Sequence, residues 1–204
     1  MTPRCILVVR LGAMGDIIHT LPAVCSLRNT WPEARILWAV EPKWAPLLEN
    51  NPCIDHLEFA DRRSPRRILT LRHNLRSEAI DLAIDFQGLL KSAVVIMFAR
   101  AKQSVGLSSS AARESLASLF YKKWITPGSQ HIVSRNLELS NAAGALAPGI
   151  GFPIPPFPIP QGRPEGLLPE GPFVLANPLA GWTSKQWPLE HYAVIAARLK
   201  SRGF

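Results

Sequence analysis

The sequence predicts an α/β protein with a parallel sheet, followed by the beginning of a second domain of the same class. Short aliphatic runs typical of buried strands alternate with segments of helical periodicity, and successive runs lie too far apart for hairpins. Apolar residues make up 47% and charged residues 19% of the 204 residues, which supports a buried core and excludes a disordered chain. Eight of the 19 prolines fall in 153–172, a stretch that favours extended backbone over a helix or a central strand.

The individual elements follow from these patterns. The run at 5–9 (CILVV) predicts a strand buried on both faces, and the apolar residues from Asp16 to Leu27 repeat with a helical period. Further along the first domain the sequence predicts a strand at 35–40, a short helix at 44–50, a weak strand at 56–59, a partly helical arginine-rich segment to Glu78, a strand at 82–85, a helix at 89–99, a strand at 104–107 and a helix at 132–145. After the prolines, FVLAN at 173–177 predicts a strand, and 188–201 predicts an amphipathic helix.

The proline-rich stretch divides the chain into domains. We interpret residues 1–150 as an N-terminal α/β domain, 151–172 as an interdomain linker and 173–204 as the start of a truncated C-terminal domain. Because one strand and one helix do not bury both faces of a sheet, we expect this last segment to be poorly anchored.

Several classes of protein are excluded at this stage. The longest apolar run, 93–99, is far shorter than the roughly 20 residues of a membrane span, and the N-terminus has no secretory signal. The three cysteines, Cys5, Cys25 and Cys53, are odd in number and not at metal-binding spacing. We therefore expect a soluble, unexported protein with unpaired thiols and no metal site.

The net charge of +8 is concentrated in one segment. Between positions 62 and 77 there are six arginines and no acid: Arg62, Arg63, Arg66, Arg67, Arg72 and Arg76. A basic surface of this kind attracts nucleic acid, anionic lipid or acidic sugars, and charge alone does not choose among them.

The turn after the first strand, RLGAMGD at 10–16, is the first candidate site. Two glycines and Glu41 at the end of the second strand favour a dinucleotide site, but the middle glycine of the fingerprint is missing. Asp16 would repel a pyrophosphate at the start of the helix, and no Lys-Ser/Thr follows for a phosphate-binding loop. Two interpretations of Asp16 remain, a helix N-cap and a general base in a cleft.

Five motifs together resemble one enzyme family. They are RLGAMGDIIHTLPA at 10–23, VE at 40–41, DFQGLLKS at 85–92, ARESLASLFY at 112–121 and NPLAGWTSKQWP at 177–188. In this order they are similar to the bacterial lipopolysaccharide heptosyltransferases, glycosyltransferase family 9, above all to those that add the first heptose to the Kdo of lipid A. The resemblance implies an inverting glycosyltransferase of the GT-B fold. It implies two Rossmann-like domains, with the acceptor on the N-terminal one and ADP-heptose mainly on the C-terminal one.

The resemblance also assigns roles to the catalytic and donor-binding residues. Asp16 would be the base that takes the proton of the acceptor hydroxyl, and Gly15, counted among the acceptor-binding residues, would leave room for the acceptor sugar beside it. Lys185 would neutralise the diphosphate as ADP leaves, and the alternative for it is a solvated surface lysine. The other residues that would contact the donor are Gly181, Thr183 and Ser184.

The acceptor implied by the family carries a carboxylate and phosphates, which the planar guanidinium fork binds bidentately. The residues that would bind it are Arg62, Arg63, Arg66, Arg67, Gln87 and Arg113. Ser64 and Pro65 interrupt the family's order, so the arginines that bind Kdo stay undetermined. The alternatives are a solvated helix face for the arginine run, an ion pair with Glu114 or with an acid of a neighbouring helix for Arg113, and a backbone-bonded loop amide for Gln87.

The implied partners are ADP-L-glycero-D-manno-heptose (ADP-heptose) and Kdo-lipid A, without a cofactor, a metal or nucleic acid. The enzyme would be cytoplasmic and peripheral to the inner membrane, with no transmembrane segment, and this truncated chain would be inactive. Three alternatives stay open. They are a family 9 transferase with another sugar or acceptor, a nucleic-acid-binding protein that uses the basic patch from Arg62 to Arg76, and an NAD-dependent oxidoreductase.

Overall fold

The computed structural model describes residues 2–61, 63–149, 151–155, 171–179 and 183–203. The chain forms two compact units, Met1–Phe157 and Pro158–Phe204. Most of the predicted linker, as well as the predicted site residues Arg62 and Gly181, lies outside the described residues.

The first unit contains a six-stranded sheet in which all neighbouring strands are parallel. In chain order the strands are β1 (Cys5–Val9), β2 (Arg35–Val40), β3 (His56–Phe59), β4 (Leu82–Asp85), β5 (Gln103–Leu107) and β6 (Lys123–Ile125). Their order across the sheet is β3-β2-β1-β4-β5-β6, so the chain winds outward in both directions from β1. The predicted α/β class and the parallel sheet are confirmed. The sequence does not predict β6, because two of its three residues are exposed and lack a buried-strand pattern.

Helices connect these strands. They are α1 (Met14–Ile18), α2 (Leu21–Thr30), α3 (Pro65–Ser77), α4 (Leu90–Ala99) and α5 (Ile132–Ala142), with 3₁₀ helices at Pro42–Leu47 and Ser115–Phe120. The single helix predicted from Asp16 onward is two helices in the structure, because Pro22 in the first turn of α2 has no N–H with which to continue α1. No helix of the described ranges is both long and apolar enough to cross a membrane.

Apolar side chains cover both faces of the sheet. Ile6 and Val8 of β1 pack in the layer with α2 and α5, whereas Leu7 and Val9 pack in the layer with α3 and α4. Alternate residues of a strand point to opposite faces, and all five residues of β1 are buried. The carboxyl end of β1, where the candidate turn begins, is therefore held from both sides.

The second unit differs from the prediction. Residues 173–177 form no strand, and Leu175 is 83% exposed. A strand needs a partner for its backbone N–H and C=O groups, and the described parts of this unit, 171–179 and 183–203, contain no other strand. A 3₁₀ turn at Thr183–Lys185 and the predicted helix, α6 (Leu189–Lys200), are present.

Candidate active site

Polar side chains gather at the carboxyl edge of the sheet, beside the central strand β1. Arg10 follows β1, Glu41 follows β2, Gln87 follows β4, and the loop with Arg113 follows β5. In open parallel sheets this edge, at the point where the strand order reverses, is the usual place of a ligand site.

Asp16 lies in the first turn of α1 and does not cap it. The N-cap position belongs to Ala13, and no side chain bonds the free N–H groups there, so the N-cap interpretation of Asp16 is wrong. Instead, Asp16 Oδ2 lies 2.5 Å from Arg10 Nη2 and 3.4 Å from Arg113 Nη2. Its side chain is 21% exposed. Asp16 is therefore a partly exposed carboxylate at the carboxyl edge of the sheet, and two arginines approach its Oδ2.

The two arginines differ in their surroundings. Arg10 is 2% exposed, and its Nη1 donates a hydrogen bond to the carbonyl of Phe86. Burial lowers the pKa of Arg10, and the neighbouring Asp16 opposes that shift. The Arg113 side chain is 63% exposed and pairs with Asp16 of α1. This contact matches the alternative in which Arg113 pairs with an acid of a neighbouring helix.

The loop after β4 is anchored by a buried carboxyl group that the sequence analysis does not single out. Asp85 Oδ1 accepts hydrogen bonds from the N–H groups of Gln87 (2.7 Å) and Gly88 (3.3 Å). Tyr121 donates its hydroxyl to Asp85 Oδ2 at 2.7 Å. Burial raises the pKa of Asp85, and these hydrogen bonds oppose the shift. The only sequence signal is an acid at the end of an otherwise apolar strand, LAID.

Gln87 is turned toward the backbone. Its Oε1 accepts a hydrogen bond from the N–H of Leu11 at 2.8 Å, and the residue is 4% exposed. This contact ties the turn after β1 to the loop after β4, as the backbone-bonded alternative predicts. A contact between Gln87 and a sugar stays a prediction.

The two glycines of the turn have different surroundings. A Cβ on Gly12 would lie 2.8 Å from Trp44 Nε1, so the absence of a side chain there makes room for an indole of the protein itself. A Cβ on Gly15 would meet nothing within 4 Å. Space for a ligand beside Gly15 is compatible with this opening and stays a prediction.

The arginine run has an acid that the sequence analysis overlooks. Asp61, directly before Arg62, accepts hydrogen bonds from Arg63 Nε (3.2 Å) and from Arg67 Nη1. Hydrogen bonds from the backbone N–H of Arg63, which has the largest effect, and from the two guanidinium groups lower the pKa of Asp61 to about 2. The expectation that no acid balances these arginines is wrong for Arg63 and Arg67, because Asp61 directly precedes the run and pairs with both.

The guanidinium groups of this run nevertheless remain accessible. The side chain of Arg63 is 77% exposed and that of Arg67 is 62% exposed. Arg63 borders a cavity of about 520 Å³, whose other lining residues are Glu41, Pro42, Lys43, Ala60 and Asp61. Arg66 is exposed on α3. The structure therefore leaves the acceptor assignment of these three arginines untested but sterically open.

Glu41, which favours a dinucleotide interpretation, forms ion pairs with two lysines. Its Oε1 lies 3.1 Å from Lys91 Nζ, and its Oε2 lies 3.5 Å from Lys43 Nζ. A ribose hydroxyl would have to compete with both cations, so these contacts weaken the dinucleotide alternative.

In the second unit, the predicted donor residues form a short 3₁₀ turn. Thr183, Ser184 and Lys185 are exposed, and the N–H of Gln186 donates to the carbonyl of Thr183 at 3.0 Å. Their contacts with a nucleotide sugar stay predictions.

Comparison with known proteins gives three findings. The model of glycosyltransferase family 9 (heptosyltransferase) matches residues 68–204. The chain is 30% identical over 214 residues to lipopolysaccharide heptosyltransferase 1 of Pseudomonas aeruginosa, covering 98% of this chain and 59% of that protein. It is 28% identical over 214 residues to the Escherichia coli K12 protein of the same name, covering 97% of this chain and 65% of that protein.

Among solved structures, Escherichia coli heptosyltransferase WaaC with ADP superposes with a TM-score of 0.73 at 28% identity. The match covers 98% of this chain and 64% of that one. It confirms the predicted GT-B class. The chain spans roughly three fifths of the length of the relatives that it matches.

Proposed function

Because the chain belongs to glycosyltransferase family 9, the heptosyltransferases, we propose that it is the acceptor-binding part of an inverting heptosyltransferase. The donor is ADP-heptose and the acceptor is the Kdo of lipid A, in synthesis of the lipopolysaccharide inner core. The relatives named lipopolysaccharide heptosyltransferase 1 support transfer of a heptose in lipopolysaccharide synthesis. The observation that carries the proposal is the partly exposed Asp16 carboxylate at the carboxyl edge of the sheet, held by one buried and one exposed arginine.

Asp16 is the general base of this reaction. Both arginines approach its Oδ2, and among the described residues Oδ1 has no hydrogen-bond partner, so Oδ1 is available to an acceptor hydroxyl. As the hydroxyl oxygen attacks the anomeric carbon, its proton passes to Asp16. The bond from that carbon to the diphosphate breaks on the opposite face, ADP leaves with the bonding electron pair, and the configuration is inverted.

The acceptor is bound through its negative charges. Arg63, Arg66, Arg67 and Arg113 are exposed, and we include Arg62, which lies outside the described residues. A guanidinium binds carboxylate and phosphate oxygens bidentately, and Kdo-lipid A carries both groups.

The donor is bound mainly by the second unit. Lys185 stabilises the diphosphate of ADP as it leaves, with Gly181, Thr183 and Ser184 beside it. The exposed amino group of Lys185 and the hydroxyls in the same 3₁₀ turn support this role.

We place the enzyme in the cytoplasm, peripheral to the inner membrane, where its acceptor lies. The layer with α3, α4 and the second 3₁₀ helix supports this location. Leu69, Met97 and Leu119 are 59%, 50% and 77% exposed there, and Arg66 and Arg76 of α3 are exposed as well. Exposed apolar side chains combined with arginines suit a surface of anionic headgroups.

The test uses a chimera in which the remaining C-terminal part of the Pseudomonas aeruginosa relative follows residue 204. Incubation with ADP-heptose and Kdo-lipid A is expected to add the mass of one heptose to the acceptor. The Asp16→Asn chimera is expected to lose this transfer while its affinity for ADP-heptose stays within about twofold. Transfer by the Asp16→Asn chimera at the unsubstituted rate would overturn the assignment of the base.

A further inference from the structure

The loop that carries Arg113 is fixed, whereas its guanidinium group is not. The N–H of Ala112 donates to the carbonyl of Ser108 at 2.8 Å, and the N–H of Glu114 donates to the carbonyl of Gly88 at 3.0 Å. The side chain of Arg113, between these anchored residues, is 63% exposed. The guanidinium is therefore able to change its partner by rotamer changes alone, without movement of the loop.

The two ion pairs of Asp16 are unequal. Arg10 approaches Oδ2 at 2.5 Å from inside the protein and is held at its other nitrogen by Phe86. Arg113 approaches the same oxygen at 3.4 Å from the solvent side. A long, exposed ion pair is weak, because water competes for both partners. Of the two arginines, Arg113 is the one that a ligand can take away.

We infer that Arg113 is a specificity-determining residue that exchanges Asp16 for the carboxylate of the acceptor. The inference rests on the proposed function, which makes an anionic sugar the acceptor and Asp16 the base. In the free protein Arg113 pairs with Asp16 Oδ2. When the acceptor binds, its carboxylate receives the guanidinium, and Asp16 keeps Arg10. A sugar without a carboxylate leaves Arg113 on Asp16.

Two arrangements of Arg113, an exchange of partners and a bridge between two carboxylates, predict opposite effects of Asp16→Asn on carboxylate binding. In an exchange, Asp16 competes with the acceptor for Arg113, so removing the charge of Asp16 strengthens carboxylate binding. In a bridge, Arg113 holds both carboxylates at once and Asp16 orients it, so the same substitution weakens binding. Exchange is favoured because the contact is too long and too exposed to orient the guanidinium, and because a bidentate bond to one carboxylate uses two of its nitrogens.

The experiment measures the dissociation constant of free Kdo by NMR titration of the 204-residue chain. The four proteins are the unsubstituted chain, Asp16→Asn, Arg113→Gln and the double variant. Asp16→Asn is expected to bind Kdo about two- to fivefold more tightly, the range that an exposed ion pair provides, and Arg113→Gln more weakly. In the Arg113→Gln background, Asp16→Asn is expected to change the constant by less than about 1.5-fold, because no pair is left to break.

Two controls complete the design. Kdo methyl ester has no free carboxylate, so its affinity is expected to be the same for all four proteins. If Asp16→Asn fails to fold, the exchange is tested instead by following the carboxyl ¹³C resonance of Asp16 by NMR. Saturating Kdo is then expected to move this resonance in the unsubstituted chain to the position that it already has in free Arg113→Gln.

Each result decides between the possibilities. Weaker or unchanged Kdo binding by Asp16→Asn overturns the exchange, as does a gain that persists in the Arg113→Gln background. In both cases the acceptor assignment survives. If Kdo does not bind to the unsubstituted chain, the acceptor of the proposed function is wrong, and the exchange is rejected with it.

Discussion

Arg10→Met removes the buried guanidinium that ties Asp16 to the loop after β4, and we expect it to destabilise the first unit. The hydrogen bond to the Phe86 carbonyl is buried and charge-assisted, and such a bond contributes about 1.5–3 kcal/mol. The lost ion pair costs less than the roughly 3–5 kcal/mol of a fully buried pair, because the Asp16 side chain is 21% exposed and stays hydrated.

Two opposing contributions set the net value. The substitution also removes the cost of burying a guanidinium, which is visible in the lowered pKa of Arg10. The balance is a loss of about 2–3 kcal/mol in the free energy of unfolding, or about 5–10 °C in Tm for a domain of this size. Arg66→Met is the matched control, because Arg66 is exposed on α3, and it is expected to stay within about 0.5 kcal/mol.

The assay is urea unfolding of the 204-residue chain, followed by circular dichroism. Asp16→Asn alone leaves Arg10 buried with a neutral neighbour, whereas the Arg10→Met/Asp16→Asn double variant leaves neither charge unpaired. The double variant is therefore expected to lose less than the sum of the two single losses. An Arg10→Met protein as stable as the Arg66→Met control would refute the role of Arg10 as the support of Asp16.

Further predictions concern the turn, the acid response and the activity of the chain. Gly12→Ala is expected to lose about 1–3 kcal/mol because its Cβ would crowd Trp44, whereas Gly15→Ala, which meets nothing, stays near zero in the same urea assay. Lys102 and two backbone N–H groups lower the pKa of Asp81 to about 2. Its stabilisation is complete above pH 4 and lost as the pH falls toward 2, so Asp81→Asn is expected to flatten acid unfolding in that window. Under the proposed function, the chain of 204 residues alone is expected to yield no heptose mass shift, since it spans roughly three fifths of its relatives and positioning of the donor is worth roughly 7–11 kcal/mol.

Much of the fold of the first unit was predictable because its strands are locally encoded. Runs such as CILVV at 5–9 are buried on both faces, so their composition alone distinguishes them from helices. The run FVLAN at 173–177 is also mostly apolar, and the strand predicted there is absent because backbone pairing depends on neighbours outside the run. The break between α1 and α2 was readable from Pro22 and was overlooked.

The candidate site was predictable only in part, since its supporting contacts join residues far apart in the chain. The motif singles out Asp16, but nothing local indicates that Arg10 bonds to Phe86, which is 76 positions away. These residues meet because β1 and β4 are neighbours in register, with Val9 opposite Asp85. Asp61 differs from these residues, because it directly precedes the arginine run and its pairing with Arg63 was predictable from the local sequence.

The topology also explains why the two arginines at Asp16 differ in burial. Arg10 continues β1, the central strand, so its guanidinium starts inside the layer between the sheet and its helices and is fixed by the neighbouring loop. Arg113 comes from the loop after β5, further toward the edge of the sheet, and reaches Asp16 across the surface of the cleft. The proposed base, Asp16, is thus anchored from the core and contacted from the solvent side. Under the proposed function, an anionic acceptor would meet the exposed Arg113 first, while the buried Arg10 stays in place.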